Sequence, residues 1–118
     1  MIKLFGITNC DTMKKAFAWL DARGVAYEFI DYKAEGLVES VLADWNQRTD
    51  WTQLLNTRGM MWKRLSDEER ADVDEAKALE LMTDYPTLIR RPVLDTGSEL
   101  LVGFDPERYA ERFLNKGL

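Results

Sequence analysis

The chain carries one thiol, Cys10, in the segment Thr8-Asn9-Cys10-Asp11-Thr12, and it has no histidine. Without histidine there are no Ser-His or Cys-His nucleophile pairs and no histidine-ligated metal centres. A single cysteine cannot close an internal disulfide, form a dithiol redox centre or build a thiolate zinc cage. What remains is monothiol chemistry: a stabilised thiolate attacks, and a thiol from solution must then resolve the mixed disulfide. The placement of Cys10 favours that chemistry. It follows an apolar run and precedes a helical pattern, so it sits at a helix start, where the first amides lack intrahelical partners and the dipole adds about half a positive charge. Lys14 and Lys15 add positive charge one turn on, and Asp11 opposes them. The plainer role for a lone cysteine is a small buried hydrophobe.

The cations are unevenly spread. Besides Lys14 and Lys15 they gather between Arg58 and Arg64 and at Arg90-Arg91, whereas Asp67 to Glu80 is mostly acidic and reads as a solvated helix face. Arg91 precedes Pro92 and Arg58 follows Leu54-Leu55-Asn56-Thr57, so both are candidates to hold an anion. An exposed arginine taken alone is ordinarily solvated or in an ion pair worth little. Trp19, Trp45, Trp51 and Trp62 read as fillers of a small core and its edges.

These residues need a scaffold, and the apolar pattern outlines one. Ile2 to Ile7 reads as a buried strand. Met13, Ala16, Phe17 and Leu20 form one helix face, closed by Gly24 in the left-handed region. Val25 to Tyr32 reads as a second strand, completing a βαβ unit. The middle is helical. Val38, Val41, Leu42 and Trp45 mark one face, and Trp51, Leu54 and Leu55 a short turn after Asp50. Ser66-Asp67-Glu68-Glu69 matches a capping box, and Ala76, Leu79 and Met82 suggest the next face, ending before Tyr85-Pro86. Pro92-Val93-Leu94 and Leu100-Leu101-Val102 flank Asp95-Thr96-Gly97-Ser98-Glu99 as a hairpin. Asp105-Pro106 opens a last helix with Tyr109 and Phe113 inside. The expected fold is α/β: β-α-β, a helical insertion, then β-β-α around a four-stranded mixed sheet, which is the thioredoxin-like arrangement. In that arrangement the proline after Arg91 is typically cis and lies beside the active-site helix start.

The 118 residues suit one domain, taken as 1–118 with the insertion at about 37–85. No repeat or linker suggests a second. Sixteen Lys and Arg against 21 Asp and Glu leave a net charge of −5, which argues against direct binding of nucleic acid. Met1-Ile2-Lys3-Leu4-Phe5-Gly6 holds no signal-peptide run, and no stretch approaches the ~20 apolar residues of a membrane span. With one free thiol, the expectation is a cytoplasmic protein that binds no metal or cofactor.

Four segments then carry a resemblance. Thr8-Asn9-Cys10-Asp11-Thr12, Leu54-Leu55-Asn56-Thr57-Arg58, Ile89-Arg90-Arg91-Pro92-Val93 and Val102-Gly103-Phe104 occur in the order and spacing of the arsenate reductase (ArsC)/Spx family, and the chain most resembles its YffB-like branch. The resemblance implies Cys10 as nucleophile, glutathione as the second thiol, and Arg91 as the arginine before the cis-proline. Asn56 stands at the column of another family arginine, with Arg58 two residues on. Val102-Gly103-Phe104 replaces a third, which argues against arsenate as the substrate. The second cysteine of the Spx Cys-x-x-Cys switch is Met13 here. The expectation is a glutathione-dependent monothiol reductase, partnered by glutathione and by glutaredoxin. Arg91, Arg58, Lys14 and Lys15 would hold anions, and Asn9, Thr12 and Pro92 would complete the site. The other reading is a non-catalytic, Spx-like regulator that binds RNA polymerase or another protein.

Overall fold

The computed structural model describes residues 1–37 and 39–114. The first apolar run becomes β1 (Lys3–Gly6), and the Met13 pattern becomes α1 (Asp11–Ala22). Gly24, at φ +65°, ends that helix in the left-handed region. β2 (Glu28–Asp31) is shorter than the strand expected from Val25 to Tyr32, because pairing with β1 extends only from Glu28 to Asp31. The Asp31 carboxylate then accepts from the amides of Lys33 and Ala34 at 2.9 and 3.1 Å. This cap turns Tyr32 into the first residue of a short helix, α2 (Tyr32–Glu35).

The expected helical middle follows as α3 (Glu39–Arg48), α4 (Trp51–Leu54), α5 (Met60–Arg64), α6 (Asp67–Arg70) and α7 (Glu75–Asp84). Leu42 and Trp45 are buried from α3, while Val38 lies outside the described residues. The capping box at Ser66 forms, with Ser66 Oγ accepting from the Glu69 amide and Glu69 from the Ser66 amide. The buried face of α7 is Ala78, Leu81 and Met82, not the expected Ala76, Leu79 and Met82: Ala76 is exposed and Leu79 half-buried. A 3-10 turn at Pro86–Leu88 leads to the hairpin of β3 (Val93–Asp95) and β4 (Leu100–Val102), and Asp105 caps α8 (Pro106–Phe113) as expected.

The strands form one mixed sheet in the order β2-β1-β3-β4, with β1 parallel to β2 and antiparallel to β3. This is the thioredoxin-like arrangement. Strand alternation divides the core between the two faces. Leu4 and Leu94 point into one layer with Met13 and Leu20 of α1 and Tyr109 of α8. Phe5 and Val93 point into the other, against Trp45, Leu54 and Met82 of the helical middle. Trp45 is fully buried and meets Phe5 edge-on at 4.8 Å, so truncating it to alanine should cost about 3–5 kcal/mol. Arg48 at the end of α3 makes a two-pronged bond to Asp95 of β3, at 2.8 and 3.0 Å. That pair ties the helical middle to the sheet. No described helix is long and apolar enough to cross a membrane.

Candidate active site

The site begins where β1 gives way to α1. Asn9 holds φ +56°, a left-handed conformation that asparagine tolerates better than most residues. This turn delivers Cys10 to the N-cap of α1 in extended backbone. The Cys10 carbonyl accepts the first helical bond, from the Lys14 amide at 3.0 Å, while its side chain makes no regular capping hydrogen bond. The sulfur is partly exposed. Directly beneath, Met13 is fully buried and packs so closely on β1 that a Cβ on Gly6 would meet its thioether at 2.4 Å. The position a second cysteine would occupy is therefore part of the core.

A second part of the chain supplies the cations. The Asn56 amide donates to the Leu88 carbonyl at 2.8 Å and the Arg90 amide to the Leu54 carbonyl at 2.7 Å, and Leu55 bridges Ile89. This short ladder brings the Leu-Leu segment and the segment before β3 to the mouth of α1. Arg91 precedes the cis peptide to Pro92. Its Nη1 donates to the Thr87 carbonyl at 2.9 Å, while its Nε is buried with no hydrogen-bond partner. The guanidinium interacts with both the Cys10 thiol and the buried Tyr32 hydroxyl. Tyr32 itself donates to the Ile89 carbonyl at 3.2 Å, and burial pushes its pKa up to about 12 against the opposing pull of Arg91. It is therefore a neutral hydrogen-bonding group and no base at neutral pH.

Burial works against a charged sulfur at Cys10. The Met13 amide, the Arg91 guanidinium and the Thr12 amide outweigh it and hold the thiol pKa below its ordinary value. Helix start and arginine thus act together on one atom.

Cys10, Thr12 and Arg91 line a cavity of about 220 Å³, joined by Asn56, Arg90, Gly103 and Phe104. Gly103 is held there by its amide, which donates to the Pro92 carbonyl at 2.8 Å. Several expected site residues lie elsewhere. Arg58 is exposed and outside this cavity. The Asn56 carboxamide accepts from the Arg58 amide at 3.0 Å, and this side-chain-closed turn carries the arginine away. Lys14 and Lys15 are exposed on α1 and do not line the cavity, Asn9 acts through its backbone turn, and Pro92 is buried behind the wall. Four residues of the wall were missed as site candidates. Arg90 was visible only as a neighbour of Arg91, while Asn56 and the segment Val102-Gly103-Phe104 stood out only as places where the resemblance would put arginines.

Fold and site together define a thioredoxin-like protein with a single cysteine at the start of its first helix. The sequence matches the ArsC family over residues 5–112, and the chain belongs to that family. It is similar to the solved structure of a YffB protein, at 48% identity, with a TM-score of 0.91 and coverage of 94% of this chain and 97% of that one. A solved arsenate reductase (ArsC) related protein from Brucella melitensis is 43% identical, with a TM-score of 0.77 and coverage of 96% and 94%. An uncharacterized Haemophilus influenzae protein is 34% identical over 96% of this chain and 99% of its own length. The global transcriptional regulator Spx 1 of Lactococcus lactis is 26% identical over 91% and 84%.

Proposed function

We propose that this protein is a glutathione-dependent monothiol reductase. The observation that carries the reading is the Arg91 guanidinium set beside the Cys10 sulfur at the helix start, where the thiol pKa is lowered. The Cys10 thiolate attacks the glutathionyl sulfur of a mixed disulfide, and the departing thiolate takes a proton from water. The thiolate of a second glutathione then attacks the sulfur of the Cys10-bound glutathionyl group. Oxidised glutathione leaves, and Cys10 is again a thiolate. The balance is one mixed disulfide plus one glutathione giving one free thiol plus one oxidised glutathione. Arg91 and Arg90 supply charge-assisted bonds to the glutathione carboxylates. Glutaredoxin is a further proposed partner, and the reaction belongs in a reducing compartment such as the cytoplasm.

Arsenate is not the substrate proposed. Asn56 and the segment Val102-Gly103-Phe104 stand where the resemblance places two further arginines, Asn56, Gly103 and Phe104 line the cavity, and a tetrahedral oxyanion is held less well with fewer guanidinium forks. A regulator reading is favoured by one observation, the similarity to Spx 1. It predicts a protein complex that survives Cys10→Ser. The direct test of the reductase reading is turnover of a glutathione mixed disulfide in the presence of glutathione. Wild type should turn it over and Cys10→Ser should not; equal rates with both proteins would rule the reading out.

A further inference from the structure

Next to the Cys10 cavity lies a second one, of about 280 Å³, with Lys33, Met60, Trp62 and Arg64 in its walls. Asn56 and Arg91 line both cavities, so they form the partition between them. Among the described residues no acidic side chain lines the second cavity, although the chain carries a net charge of −5. Neither Lys33 nor Arg64 is ion-paired among the described residues. Met60 is 68% exposed there. The other exposed large apolar side chains among the described residues, Met1 and Leu114, stand at the two ends of the described chain. Cations without counter-ions attract carboxylates, and a flexible methionine beside a half-buried tryptophan accepts apolar side chains of varied shape.

We propose that this second cavity binds the polypeptide half of a glutathionylated cysteine, an acidic segment with an apolar residue close to the modified sulfur. The inference rests on the reductase reading and adds its substrate class: peptide or protein mixed disulfides over those of small neutral thiols. The disulfide straddles the partition. The glutathionyl half lies over Cys10, and the departing peptide thiol lies on the Lys33 and Arg64 side.

The test uses three glutathione mixed disulfides: a cysteine peptide flanked by glutamate and phenylalanine, the same peptide with lysine for glutamate, and 2-hydroxyethyl thiol. Each is assayed with wild type and with the double variant Lys33→Glu/Arg64→Glu, whose side chains are exposed and whose reversal leaves the core intact. Wild type should use the acidic peptide with a kcat/KM about tenfold above the basic one. The double variant should erase or invert that preference while turning over the hydroxyethyl disulfide as wild type does. Equal use of the two peptides by wild type overturns the inference and leaves the reductase reading standing, as does a variant that slows all three substrates alike. Failure of wild type to turn over any of the three, the small one included, overturns the reductase reading itself.

Discussion

Arg91 is fixed beside the Cys10 thiol by one bond: its Nη1 donates to the Thr87 carbonyl at 2.9 Å, and its guanidinium helps hold the thiol pKa below its ordinary value. An arginine fixed in this way stabilises a thiolate and keeps donor capacity for an anion bound to it. Alkylation of Cys10 measured against pH should therefore have its midpoint below the ~8.5 of a free thiol. Arg91→Ala should raise that midpoint. Arg91→Lys keeps the charge but loses the planar fork, so it should raise the midpoint less while still weakening glutathione binding. If both variants melt early with an unchanged midpoint, Arg91 serves only to hold the strand before Pro92.

The turn at Asn9 makes a separate prediction. At φ +56°, glycine costs little, whereas a β-branched residue is strained by about 1–3 kcal/mol. Asn9→Gly should keep the alkylation profile and the melting temperature close to wild type. Asn9→Val should lower the melting temperature and move the Cys10 midpoint toward that of a free thiol, because the sulfur loses its aim at the helix amides. A normal midpoint in Asn9→Val would show that the turn does not position the thiol.

The helical middle is tied to the sheet by Arg48 and Asp95, and this tie should set part of the acid limb of stability. The Arg48 hydrogen bonds outweigh burial and hold the Asp95 pKa below its ordinary value. A carboxylate depressed on folding stabilises the protein above its unfolded pKa of ~3.9, and that contribution is lost as pH falls through the lower folded value. Asp95→Asn should cost about 1–2 kcal/mol at pH 7 and much less at the acid end. Denaturant melts at several pH values measure this, and a cost independent of pH would contradict the assignment.

What the sequence made legible was local. The turn at Gly24, the Ser66 capping box, the Asp95–Glu99 hairpin turn and the Asp105-Pro106 start each depend on a few neighbouring residues, and each formed. Cys10 was legible for the same reason, since a helix start is written in adjacent residues. Where the second strand begins depends on how far β1 can pair with it, and where it ends on the Asp31 cap. The buried face of α7 depends on the side from which α3, α4 and the 3-10 turn approach, so Ala78 and Leu81 displaced Ala76 and Leu79. The cavity wall was least legible. Asn56 and Arg90 reach Cys10 through bonds between segments more than thirty residues apart, from Asn56 to Leu88 and from Arg90 to Leu54. Arg58 had the right charge but is turned away by the side chain of Asn56, two residues before it.

The most direct measurement is the intact mass of the protein after exposure to oxidised glutathione at neutral pH, and again after addition of reduced glutathione. The expected result is a single glutathionyl adduct, mapped to Cys10, that free glutathione removes completely and that Cys10→Ser never acquires. A wild-type protein that stays unmodified, or an adduct that reduced glutathione cannot remove, would contradict a monothiol cycle at Cys10.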